Sequence, residues 1–138
     1  MSEQNKTLVR RFYDEVENQG KLDLVDELFA ADFRDVYNTA SPFPVVGTDG
    51  VKKLAAALHA NLELVVDVED LVAEGDRVVA RISTTMTHKV PIMGAAPTGK
   101  KYTNKGVEIF RVAGGKLAER WVYLDRIPLL KELGVIPK

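Results

Sequence analysis

The chain has 138 residues, 46% apolar and 28% charged, with a formal charge of −1. That length suits one domain, residues 1–138, on one core, and the composition is that of a globular chain rather than a disordered one. The near-neutral charge supplies no basic field for nucleic acid, and the lack of cysteine excludes a disulfide framework and thiolate chemistry.

The first residues, MSEQNKTLVRRFYDEV, are polar and mixed in charge, without the apolar run of a signal peptide. No stretch approaches the roughly 20 apolar residues that span a bilayer. The expectation is a cytoplasmic protein with no membrane partner. Residues 4–19 predict a helix whose apolar face carries Leu8, Phe12 and Val16, with Arg10, Arg11, Glu15 and Glu17 largely elsewhere. Gly20 is suited to a left-handed cap. A second helix is predicted over residues 23–30, on Leu24, Val25, Leu28 and Phe29. Asp32 to Asn38 read as a short strand, and residues 39–47, with two prolines and no period, as a loop. A third helix is predicted over residues 49–61, capped by Thr48 or Asp49, with Val51, Leu54, Ala55 and Leu58 buried.

Beyond Asn61 the pattern changes to strands. Residues 63–73 are rich in Val and Leu, and Glu74-Gly75-Asp76 is a turn. Residues 77–88 alternate between two faces. A Pro/Gly loop at 89–99 leads to a strand over 101–112, a hairpin turn at Ala113-Gly114-Gly115, and a last strand over 116–125. Residues 127–133 are a short apolar segment able to cover a pocket mouth. Helices first and hairpin-linked strands after them imply α+β, with three N-terminal helices packed on a curved antiparallel sheet. Twist turns such a sheet into a half-open cone.

The last strand holds the densest set of candidate side chains. Alternation places Glu119, Trp121, Tyr123 and Asp125 on one face, and Val122 and Leu124 on the other. Polar and aromatic groups together suit the lining of a ligand pocket, so the odd-numbered face is expected to look inward. A carboxylate beside aromatic rings is partly desolvated, which raises its pKa toward that of a general acid or base. Asp125 is therefore the candidate proton carrier; the alternative is that it caps the final helix. Asp35 and Tyr37 share a face of the early strand, with Asn38 beyond, and Tyr37 and Asn38 are able to donate to an oxyanion. Tyr13 either points into the cone or packs in the core. Arg81 either pairs with Asp35 or Glu119 in the cavity or faces solvent, and His88 falls at the pocket rim. His59 and His88 lack metal-site spacing, so no metal is expected. No phosphate-binding glycine motif and no serine elbow is present.

The stretches NKTLVRRFYDEVENQGKLDLVDELFAADFRD, THKVPIMGAAPTGKKYT and GGKLAERWVYLDRIPLLKELGVI resemble, over nearly the whole chain, the SnoaL-like polyketide-cyclase relatives of the nuclear-transport-factor-like superfamily. The resemblance implies an α+β cone, commonly a homodimer, with a pocket for a small hydrophobic molecule. It also implies an acidic residue acting as general acid/base in ring closure without metal or cofactor. On it, Asp125 and Asp35 are the catalytic candidates; the side-chain pattern itself adds Tyr13, Tyr37, Asn38, Arg81, His88, Trp121 and Tyr123 around the substrate. Val36 stands where the family stretch usually has His. Ser83 and Tyr123 depart from the acidic pattern of the epoxide-hydrolase branch, and Tyr37 from the base of the steroid-isomerase branch. A cyclase or isomerase of a carbonyl compound is the leading expectation, and a non-catalytic binding or dimerisation module the alternative.

Overall fold

Gly114 and Gly115 sit at φ +59° and +75°. A two-residue type I′ hairpin needs positive φ at both positions, which glycine adopts without a steric penalty. Here β4 (Lys101–Ala113) turns back as β5 (Lys116–Asp125). The turn at residues 75–76 likewise joins β2 (Val65–Glu74) to β3 (Arg77–Thr87). The computed structural model describes residues 2–138. Its five strands lie in the order β1-β5-β4-β3-β2, where β1 is Phe29–Asn38. All pairs are antiparallel except β1 with β5, which is parallel. The α+β curved-sheet expectation holds, with a fourth, short helix after the sheet.

Helix α1 (Ser2–Arg11) runs on through a wider π-helical segment, Phe12–Glu17, in which Asn18 N–H donates to Tyr13 O at 2.9 Å. Phe12, Tyr13, Val16 and Glu17 are all buried, so Glu17 does not lie on the solvent face as its helical period implied. Segments of this kind often mark functional positions. The Asn18 amide clamps the segment to β2, donating to Val66 O at 2.8 Å and accepting from Val66 N–H at 2.7 Å. Helix α2 is a single turn, Val25–Leu28, and ends before the predicted boundary. Phe29 leaves it in extended conformation, edge-on to Phe12 and Phe33 at 5.0 and 4.8 Å. Burial of these rings draws the chain into β1 three residues early.

Helix α3 (Gly47–Leu62) starts two residues before its predicted beginning and has no side-chain cap. Its Val51, Leu54 and Ala55 face the sheet, as expected. Helix α4 (Ile127–Glu132) buries Leu129 against Met86, Ile92 and Tyr102 at one end of the sheet. The main core joins Val9, Phe12, Tyr13 and Val16 to Val78, Ala80, Ile82, Phe110 and Leu117. No helix among the described residues is long and apolar enough to cross a membrane.

The face of β5 that looks inward is the opposite of the expected one. Arg120 and Val122 are buried and Leu124 is half-buried, whereas Tyr123 and Asp125 are exposed. The register confirms this: Val122 and Arg120 stand opposite buried Glu108 and Phe110. Trp121 turns outward, where Arg77 stacks over its ring at 5.0 Å. The outer face is itself amphipathic, with Trp121 and Tyr123 beside Glu119 and Asp125, so its pattern resembles that of a pocket wall. In β1 a bulge between Asp35 and Tyr37 lets Asp35 pair with Arg120 and Tyr37 with Trp121. Asp35 therefore points inward and Tyr37 outward, although plain alternation puts them on one face.

Candidate functional site

Between α3 and the concave sheet face lies a cavity of about 100 Å³. Leu54, Leu58, Leu62, Leu64 and Met86 form its apolar wall, and Glu17, Asn104, Glu108 and Arg120 its polar one. The polar groups come from the widened turn after α1 and from the inward faces of β4 and β5. Asn38, at the end of β1, stands at its edge.

Arg120 is the hub. Its Nε and Nη2 donate to the two oxygens of Asp35 at 2.7 and 2.8 Å, a bidentate pair whose side chains are only 5% and 2% exposed. Its Nη1 lies 3.3 Å from Glu108 Oε1 and 3.8 Å from Glu17 Oε1. Tyr13 donates to the same Glu108 oxygen at 2.9 Å, and Asn38 donates to Asp35 Oδ2 at 2.9 Å. Three buried carboxyl groups thus share one guanidinium.

That imbalance sets the protonation of the site. Burial, followed by the charge of Glu108, raises Glu17 to a pKa of about 8, against a smaller opposing pull from Arg120. Burial also raises Glu108, partly offset by Arg120 and by the Tyr13 hydrogen bond. Tyr13 is pushed well above its ordinary value by burial and then by Glu108, so it stays a donor. Burial opposes the charge on Arg120, but Glu108 and Asp35 outweigh it and raise its pKa. Glu17 is consequently a carboxyl that exchanges its proton near neutral pH while facing a largely apolar cavity, the setting of a general acid or base.

Seven of the predicted residues fall into two groups, and His88 and Trp121 stand apart from both. Tyr13, Asp35 and Asn38 belong to this inner network. Tyr37, Arg81, Tyr123 and Asp125 do come together, but along an open groove on the outer sheet face. There Tyr37 and Tyr123 stack at 5.0 Å while remaining 46% and 48% exposed. Arg81 pairs with Glu69 and Asp70, and Asp125 accepts from Ile127 N–H at 3.2 Å, the capping alternative. Within a single chain that groove is open and Asp125 is exposed, so its surroundings there do not desolvate it as the expected role required. His88 is fully buried at the end of β3 rather than exposed at a rim, held by Thr98 N–H and Thr98 Oγ1 at 3.3 and 3.2 Å. Among the described residues no cluster of three or more His, Asp or Glu is arranged to hold a metal ion.

Glu17, Asn104, Glu108 and Arg120 were not anticipated. The available signal was on β5: Arg120 alternates with Val122 and Leu124, and a charged residue within an apolar alternation is either paired or functional.

The chain matches the family model described as SnoaL-like polyketide cyclase over residues 7–133. It is similar in structure to AclR from Streptomyces galilaeus, provisionally assigned as a hydroxylase (29% identity, TM-score 0.81, covering 100% of this chain and 85% of that one). A provisionally assigned polyketide cyclase from Acidithiobacillus ferrooxidans shows 26% identity and a TM-score of 0.83, over 96% of this chain and 95% of that one. IdmH from Streptomyces antibioticus, also provisionally assigned as a polyketide cyclase, shows 27% identity and a TM-score of 0.80, over 95% and 99%. None of the curated proteins matches it.

Proposed function

Because this chain belongs to the SnoaL-like polyketide cyclase family, we propose that it binds a small, largely apolar carbonyl compound in the cone and performs cofactor-independent acid/base chemistry on it. The observation that carries this reading is Glu17, a buried carboxyl of pKa about 8 that lines the cavity. Ionised Glu17 takes a proton from the carbon beside the substrate carbonyl, and the electron pair moves onto that oxygen. The guanidinium of Arg120 stabilises the enolate. In a cyclase the enolate carbon bonds to a second carbonyl carbon of the same molecule, and Glu17 returns its proton to the new alkoxide. In an isomerase the proton returns to a different carbon. Asp35 and Tyr13 position Arg120 and Glu108 without touching substrate. The proton carrier is Glu17 rather than Asp125, which lies on the opposite face of the sheet.

The test is exchange of the benzylic protons of phenylacetone for deuterium, followed by proton NMR. The wild-type rate is expected to rise with pH and level off above about 8 as Glu17 ionises. Glu17→Gln is expected to lose about 10²-fold or more, the usual scale of general-base help. Exchange that is unchanged in Glu17→Gln refutes the mechanism. A second reading, a dimerisation module whose cone is filled by its own side chains, draws on the cavity's 100 Å³, below the roughly 300 Å³ at which ligand pockets begin. Phenylacetone that neither binds nor exchanges supports it.

The outer sheet face supports a homodimer. Trp121, Ile109, Val79 and Val72 lie in register across four strands as one apolar row. Ion pairs flank it, Glu119 with Arg111 on one side and Arg81 and Lys105 with Glu69 and Asp70 on the other. These charges are balanced within one chain, so two copies of the face meet without net repulsion. Light scattering is expected to give a dimer for the wild type and a monomer for Val79→Glu; a monomeric wild type ends this part of the proposal.

A further inference from the structure

Asn104 lines the cavity but makes no hydrogen bond to the Arg120 network. Its side chain projects from β4 into the cavity, the residue is 6% exposed, and its amide oxygen is buried without a hydrogen-bond partner. Its cross-strand neighbour Thr84, also buried, lines the same end and turns its hydroxyl toward the Asn104 backbone carbonyl at 3.5 Å. Around them the wall is Leu62, Leu64 and Met86. A primary amide offers an acceptor and two donors, and buried polar groups in folded proteins are ordinarily satisfied. An amide oxygen left unpaired beside an apolar cavity calls for a partner that the folded chain does not supply.

The position in the strand gives the ligand's shape. Asn104 and Glu108 lie on the same face of β4, four residues apart, so their backbones are separated by about 13 Å. Arg120 and Glu17 cluster at Glu108. The cavity therefore has two polar ends, an acidic one where the proton moves and an amide one at Asn104, with apolar side chains between. Once a hydrogen bond of about 3 Å is allowed at each end, the length left between them is about that of a single ring with a short side chain.

We infer that Asn104 is a specificity-determining residue that hydrogen-bonds a hydroxyl or carbonyl oxygen on the end of the substrate remote from the reacting carbon. The substrate class is then a monocyclic ketone with an oxygen substituent across the ring from its enolisable carbon. This rests on the proposed reading of the cavity as the ligand site, and it adds a recognition element that proton transfer does not require.

The experiment compares phenylacetone with 4-hydroxyphenylacetone, which differ only in the remote hydroxyl. Affinity is measured by titration with the Asn104 side-chain amide followed in a ¹⁵N-correlated NMR spectrum, and deuterium exchange is measured in parallel. The wild type is expected to bind the hydroxylated compound at least about tenfold more tightly, with the Asn104 amide signals moving on binding. Asn104→Leu, close in volume and apolar, is expected to lose that preference while still taking phenylacetone. Equal affinities in the wild type overturn the inference whether or not the variant folds, as does a preference that survives in Asn104→Leu, or no binding of either compound at millimolar concentration. Hydroxyl preference without exchange refutes the proton-transfer reading and leaves this inference standing. Exchange without preference does the reverse.

Discussion

Glu17→Gln also tests the electrostatics of the site without any substrate. In the wild type the carboxyl rises from the ordinary 4.5 to about 8 on folding. The folded state therefore holds this proton more tightly than the unfolded state. The stability associated with it is fully present below pH 4.5 and is lost progressively as pH rises to about 8. The pH interval between those two values, at about 1.4 kcal/mol per pH unit, corresponds to roughly 5 kcal/mol. That is a large fraction of the 5–15 kcal/mol that holds a typical domain together. Glutamine keeps the shape and stays neutral at every pH, so the variant lacks this loss.

Urea denaturation of both proteins at pH 5.5, 7 and 9 reads the difference directly. The advantage of Glu17→Gln over the wild type is expected to grow by about 1.4 kcal/mol per pH unit across the window and to level off above pH 8. Groups that titrate independently of Glu17 cancel in the subtraction. Glu108 does not cancel entirely, because it loses a charged neighbour in the variant, and its relaxation adds to the difference in the alkaline range. Parallel stability curves, with a difference constant to within about 0.5 kcal/mol, refute the assignment of Glu17 as a buried, protonated carboxyl.

Three further substitutions probe the frame around the cavity. Arg120→Met leaves Asp35 and Glu108 buried without their cation and is expected to cost about 3–5 kcal/mol near neutral pH; a loss below about 1 kcal/mol in a denaturant melt contradicts the hub role. Gly106→Ala places a methyl 2.6 Å from the Tyr123 carbonyl oxygen and against the Leu124 side chain, which must shift. It is expected to destabilise by about 1–3 kcal/mol, with chemical-shift changes concentrated on Leu124, and a neutral outcome argues against this close approach of β4 and β5. Asn18→Ala removes both hydrogen bonds to Val66, for an expected loss of about 2–3 kcal/mol. If the clamp holds the widened turn in place, the pH-dependent stability attributed to Glu17 weakens in this variant as well.

The elements that follow from local chemistry were legible in the sequence. Gly20, Gly75, Gly114 and Gly115 all take the positive φ that their turns require, and three hairpin-linked strand pairs follow the predicted order. The inward direction of β5 was not legible, because its two faces compete on equal terms. One offers Glu119, Trp121, Tyr123 and Asp125, the other Ala118, Arg120, Val122 and Leu124. Hydrophobicity favours the second and the usual lining of a pocket favours the first. The pairing of Arg120 with Asp35 across the parallel β1–β5 ladder helps to decide between them. That pairing joins residues 85 positions apart, which no local period reports.

Glu17 was hidden for a different reason. In a regular α-helix, five steps of about 100° put it roughly 140° from Phe12, on the side away from the core, where a glutamate is expected. The bond from Asn18 N–H to Tyr13 O closes an i→i+5 turn, wider than the α-helical one. That widening brings Glu17 round toward the core and into contact range of Arg120 at 3.8 Å. The widened turn departs from regular helix geometry and brings a carboxyl into an apolar cavity, and both features work against stability. They are compensated by the Asn18 clamp at one end and by Arg120 at the other. An element that breaks its own period in order to bury a titratable group is hard to explain as packing, since an ordinary helix would leave this carboxylate in water with no desolvation cost. The arrangement makes sense as the means of holding one exchangeable proton against the wall of a ligand cavity.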